Sequence, residues 1–111
     1  MKPERFYRFE NVRYTTGVRV HLQEYTLIKE TPCGYWIKPV WDYDDYHKKW
    51  VSKTARKRFA YPTQEEAITS FMARKRRQIQ IIESQLIDAR SALSAGSYIE
   101  MRLQREKEKE N

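Results

Sequence analysis

Residues 59–72, FAYPTQEEAITSFM, are where this chain changes from one periodicity to another. Pro62 has no backbone N–H to give a β-ladder and sits naturally just before a helix. Thr63 followed by Glu66 has the spacing of a capping box, and Glu65 and Glu66 suit the positive end of a helix dipole. Downstream, Ile68, Met72, Ile79, Ile82, Leu86, Ala89 and Leu93 recur at steps of four and three, a heptad seam interrupted only at Lys75. The pattern predicts a helix over 63–95, with Gly96 as its C′ residue. Residues 97–111 read as a short amphipathic stretch (Tyr98, Ile99, Leu103) running into a partly frayed charged tail.

Upstream of Pro62, aromatic and β-branched residues come in short runs broken by Gly and Pro, the composition of strands. Phe6, Phe9, Val12 and Tyr14 mark the first, and Thr15-Thr16-Gly17 a hairpin turn. Val18, Val20 and Leu22 then alternate with Arg19, His21 and Gln23. The apolar phase shifts at Tyr25 and Leu27, which implies either a bulge near Gln23–Glu24 or an exposed Tyr25. Thr31-Pro32-Cys33-Gly34 is a second turn, and Pro39 ends the strand that follows it. Residues 50–52 and 58–61 read as a last short hairpin. The resulting expectation is an α+β domain over 1–96. It has a small antiparallel sheet of three to five strands (4–61), followed by one long helix with a coiled-coil-like seam. Ala67, Ile68, Phe71 and Met72 are expected to cover the sheet together with Phe59 and a tryptophan.

A chain of 111 residues has room for one modest core. Its 22 Lys and Arg outweigh 15 Asp and Glu, which favours acidic partners. The imbalance lies in residues 1–62, with 13 basic and 7 acidic side chains, against 9 and 8 in residues 63–111. Cys33 is the only cysteine, so no internal disulfide can form, in keeping with a reducing compartment. No apolar run suits a signal peptide or a membrane span. The expectation is a cytoplasmic protein without a membrane partner.

Three clusters are candidate sites. The loop Val40 to His47 packs three carboxylates, three aromatic rings and a histidine together. Trp41, Tyr43, Asp44, Asp45 and Tyr46 suit a protein interface, where rigid rings anchor and acids select a cationic partner. Equally, Trp41 could tuck into the core of a mobile loop. An EF-hand register starting at Asp42 fails, with His47 where Gly and Lys53 where Glu would be required. The second cluster, KKWVSKTARKR (48–58), carries Lys48, Lys49, Lys53, Arg56, Lys57 and Arg58 with no acid among them. Beside Trp50 and Tyr61 these could grip phosphates while a ring stacks on a base, or simply guard a strand edge. Arg74-Lys75-Arg76-Arg77 spreads around most of a helical wheel, so it reads as a solvated collar. The third cluster is the helix seam itself. Ile79, Ile82, Leu86, Ala89 and Leu93 are candidates for a homodimer, either parallel or antiparallel. No metal, cofactor or catalytic motif is implied: GxxxxGK[ST], GxGxxG, CxxC and HExxH are all missing from the sequence.

The segments ETPCGYWI (30–37), WVSKTARKRFAYPTQEEA (50–67) and the RKRRQI-containing helix resemble a family of small uncharacterised proteins of tailed bacteriophages and prophages. The resemblance covers roughly residues 24–95. It implies a setting, a phage accessory protein in the host bacterial cytoplasm acting on host or defence machinery, and transfers no functional residue. The resulting expectation is a non-enzymatic protein-binding module with an unidentified host protein as partner. The alternative is a nucleic-acid-binding protein using residues 48–58.

Overall fold

The computed structural model of the chain describes residues 3–110. Four strands, β1 (Arg5–Tyr14), β2 (Gly17–Glu30), β3 (Gly34–Pro39) and β4 (Lys49–Ser52), precede one helix, α1 (Gln64–Lys109). The strands pair in chain order, each antiparallel to the next. This is the α+β layout expected from the switch at Pro62.

Turn chemistry sets the pairings. Tyr14 pairs with Gly17, leaving Thr15-Thr16 as the connection, and Gly17 takes φ 134°, a conformation L side chains rarely adopt. At the second turn Thr31 binds Gly34 in both directions, its N–H donating to Gly34 O at 2.8 Å and its Oγ1 accepting from Gly34 N at 3.2 Å. Gly34 is needed there for a second reason. A Cβ would lie 2.3 Å from Val51 O and 2.6 Å from the Trp50 ring, which occupies the space a side chain would take.

The core lies on one face of the sheet. Phe6, Tyr25, Ile37, Val51 and Ala60 form its buried cluster, with Leu27, Tyr35 and Phe59 packed against it. Fully burying a side chain such as Phe6, Ile37 or Val51 contributes about 1.5–3 kcal/mol. Register explains the phase shift along β2: Tyr25 faces Phe6 and Leu27 faces Ile37 on the core side. Val18, Val20 and Leu22 therefore belong to the opposite face, and all three are exposed. Pairing with β1 runs unbroken through Gln23 and Glu24, so no bulge lies there. The irregularity falls between Leu27 and Lys29, against β3.

Residues 58–61 do not form a hairpin with β4. Tyr61 instead bridges Tyr7 on β1, exchanging both backbone hydrogen bonds at 2.7 and 3.0 Å. This crossing brings Phe59 edge-on to Tyr25 at 5.3 Å and buries Ala60 in the core. Ala67 and Phe71 are buried as anticipated, whereas Ile68 and Met72 remain exposed. No tryptophan joins the core: Trp36, Trp41 and Trp50 are all exposed.

Thr63 caps α1, accepting the Glu66 N–H at 3.2 Å while its hydroxyl donates to the Glu66 carboxylate at 3.0 Å. The helix does not stop at Gly96. It continues to Lys109, so the expected end at Ala95 and the separate 97–111 tail are both corrected, with Asn111 outside the described residues. One glycine costs a helix about 1 kcal/mol, too little to break it when Glu, Met, Arg, Leu and Gln follow. Lys107 and Lys109 complement the negative end of its dipole.

The chain divides into two compact units, Met1–Arg74 and Lys75–Asn111. The first contains the sheet and the opening turns of α1. There Arg74 donates to Phe9 O at 3.0 Å and lies over the Phe71 ring. Burial pushes the Arg74 guanidinium below its ordinary value, and its Nε is buried without a hydrogen-bond partner. The second unit is helix through Lys109, and every described residue from Arg76 onward is exposed.

Candidate functional site

Asp42 organises the loop between β3 and β4. Its carboxylate is buried and accepts the His47 N–H at 2.7 Å and the Asp44 N–H at 3.1 Å. The His47 backbone hydrogen bond is the main reason its carboxyl titrates below the usual aspartate range, outweighing the opposing effect of burial. Asp45 adopts φ 55°, a left-handed conformation Asp tolerates better than most residues, and pairs with Lys38. The Asp42 and Asp45 carboxylates thus serve different tasks. Among the described residues no group of three or more His, Cys, Asp or Glu is arranged to hold a metal ion.

With its backbone so pinned, the loop displays its rings outward. Trp41 is 61% exposed, Tyr43 90% and Tyr46 85%, which rejects the alternative of a tryptophan tucked into the core. His47 ties two of them together, its ring 4.9 Å from Trp41 and 5.4 Å from Tyr46, both edge-on. Beside Trp41 runs a groove of about 530 Å³ bounded by Leu22–Tyr25 of β2, by Pro39 and Val40, and by His47 and Lys49. At its floor, burial raises the Tyr25 phenol above its ordinary value, so it stays protonated and donates to Gln23 Oε1 at 2.9 Å.

The six basic residues of 48–58 do not act as one patch. Lys53 binds Glu30 at 2.8 Å, and that hydrogen bond raises its pKa. Arg58 donates to Ala55 O at 2.9 Å and Lys53 O at 2.8 Å, so it fastens its own loop. Lys49 lies over Phe59 and Lys48 over Trp36, at 5.5 and 5.9 Å. Among the described residues only Arg56 and Lys57 of the six remain exposed without a polar or ring contact.

Sequence reasoning missed the tryptophan pair. Trp36 and Trp50 stand directly opposite on β3 and β4, ring centroids 5.2 Å apart, each 39% exposed on the face away from the core. The signal was available in principle, since two Trp-bearing strands one turn apart can pair, but only the register makes them neighbours.

In the second unit Ile79, Ile82, Leu86 and Leu93 are 54, 52, 47 and 72% exposed, and Ala89 on the same seam is exposed too. Because α1 continues, the seam extends through Gly96, Ile99 and Leu103, with two successive steps of three at 93–96–99. Such a step locally overwinds a coiled coil. A Cβ at Gly96 would meet nothing within 4 Å.

No family model, no curated protein and no solved structure matches this chain. No described helix is long and apolar enough to cross a membrane.

Proposed function

We propose that this chain is a non-enzymatic protein-binding module that engages its partner through the loop carrying Trp41, Tyr43, Asp44, Asp45 and Tyr46 and self-associates through α1. The observation that carries the reading is the combination of a braced backbone with outward rings. Asp42 holds the loop from within, while Trp41, Tyr43 and Tyr46 stay exposed. Rigid aromatic side chains lose little entropy on binding, and hot spots are enriched in Trp and Tyr. Self-association is supported by the bare seam, since a lone helix gains most of its stability from covering an apolar face. The phage resemblance of residues 24–95 supplies the setting: the host bacterial cytoplasm and a host protein as partner.

The test is capture from bacterial lysate with and without nuclease, using the parent and Trp41→Ala. A partner retained after nuclease and released by Trp41→Ala, in a protein that remains folded, supports the reading. A partner lost to nuclease rejects it.

A nucleic-acid reading is favoured by one observation, the half-exposed Trp36–Trp50 pair with Lys48 beside it. Bases stack on such rings. Binding of that kind weakens steeply as salt rises, whereas aromatic protein contacts do not.

A further inference from the structure

β3 stops short, and its end leaves a long stretch of β2 without a neighbour. Tyr25 pairs with Pro39, and the last bond across runs from Val40 N–H to Glu24 O at 3.2 Å. From Gly17 to Glu24, β2 is paired only with β1. Backbone groups of successive strand residues point to alternate edges. Glu24 O points toward β3, while Leu27 N–H points the other way, to Glu4 O at 3.0 Å. By that alternation Val18, Val20 and Leu22 turn their N–H and C=O groups away from β1, to the side on which no strand is paired with them among the described residues.

Soluble proteins normally blunt such an edge with Lys, Pro or a bulge. Here the three outward-pointing residues are Val, Val and Leu, all exposed, and the one irregularity of β2 lies further along, between Leu27 and Lys29. The stretch keeps an unbroken register with β1 and is apolar at Val18, Val20 and Leu22 on the side away from the core. It ends in the groove beside Trp41, bounded by Leu22, Val40 and Lys49.

We propose that this open edge is a strand-addition site for an extended peptide of the partner in which apolar residues alternate with acidic ones. The proposal rests on the protein-binding reading above and gives it a mode. An added strand gains main-chain hydrogen bonds from Val18, Val20 and Leu22, and its alternate side chains choose the sequence. Its apolar residues lie beside Val18, Val20 and Leu22. Its other residues lie on the opposite face, beside Arg19 and His21, where Arg19 stands over the Tyr14 ring at 5.4 Å. Arg19 favours a carboxylate in the incoming strand. It also opposes a second copy of β2 in the register that would bring Arg19 against another Arg19.

The probe is a capped synthetic peptide of about eight residues alternating Val and Glu, titrated into the whole chain with backbone amides followed by NMR. Expected are protection of the Val18, Val20 and Leu22 amides, a loss of at least about tenfold on N-methylating alternate peptide amides, and little binding of a Val/Lys peptide. Val20→Pro removes an outward donor without touching the ladder to β1 and is expected to weaken binding by a similar factor. Equal binding of the N-methylated peptide, or no binding of the Val/Glu peptide at millimolar concentration, overturns the proposal. So does protection of the same amides that grows with protein concentration alone, which assigns the edge to a second copy. Trp41→Ala separates the two readings. If it binds the peptide as the parent does while N-methylation abolishes binding, the edge stands on its own, and the loop reading is decided by the lysate capture alone. If it alone abolishes binding, the loop stands and the edge falls.

Discussion

The Asp42 carboxylate holds the backbone N–H of His47 at 2.7 Å, spanning five residues of the exposed loop from within. Asp42→Ala removes this acceptor and the one used by Asp44, freeing Trp41 and Tyr46 from the His47 ring between them. The expected result is faster amide exchange and proteolysis across 40–48, with the sheet unchanged. Acid should do the same. A carboxyl whose pKa is depressed on folding contributes stability above its unfolded value and loses it as pH falls through the folded one. Trp41 fluorescence should therefore hold steady near neutrality and change only below the ordinary aspartate range. A transition centred on histidine titration would show that His47, not Asp42, holds the loop.

Gly34→Ala is expected to destabilise the first unit by about 1–3 kcal/mol in denaturant titrations, the usual cost of overpacking. Its Cβ would meet the Val51 carbonyl at 2.3 Å, and backbone cannot step aside as a side-chain tip can. Gly96→Ala should go the other way, because nothing lies near that position and alanine gains about 1 kcal/mol of helix propensity.

The basic segment should separate into structural and idle residues. Arg58→Ala loses two hydrogen bonds to loop carbonyls and should cost about 1–2 kcal/mol. Arg56→Ser with Lys57→Ser should change stability by less than about 0.5 kcal/mol. If the double substitution abolishes salt-sensitive binding to single-stranded DNA, the nucleic-acid reading gains its site. Equal stability losses for both variants would contradict the contacts described for Arg58.

Light scattering is expected to give about twice the 13.5 kDa chain mass at micromolar concentration. Ile82→Glu with Leu86→Glu should restore the monomer and lower helical content, since each buried seam residue is worth about 1.5–3 kcal/mol. A monomer mass for the unmodified protein would leave the seam to a different partner helix.

Legibility varied along the chain for identifiable reasons. The helix start was readable because Thr63, Glu65 and Glu66 act locally on the first turn. Its end was not, because Gly96 has two uses in helices and sequence alone does not choose between cap and interior. Turns at Thr15-Thr16-Gly17 and Thr31 to Gly34 were readable for the same local reason as the helix start. Residues 58–61 do not pair with β4 because Tyr61 meets Tyr7, a neighbour remote in sequence that no local pattern signals. The change of apolar phase along β2 is neither a bulge near Gln23–Glu24 nor an exposed Tyr25, since the register is unbroken there and Tyr25 is buried. Val18, Val20 and Leu22 simply face away from the core.

By itself the sequence determined the class of fold, the order of strands before helix, the cap at Thr63 and the apolar seam of α1, since each depends on neighbours within one turn or one hairpin. Only the tertiary structure decided that Trp41, Tyr43 and Tyr46 are displayed, that Lys53 and Arg58 are committed to Glu30 and to loop carbonyls, and that β2 keeps an open edge past Pro39. Those outcomes depend on which segments meet across the sheet. A composition of aromatic and charged residues specifies which contacts are favourable, while register and strand length specify which are made.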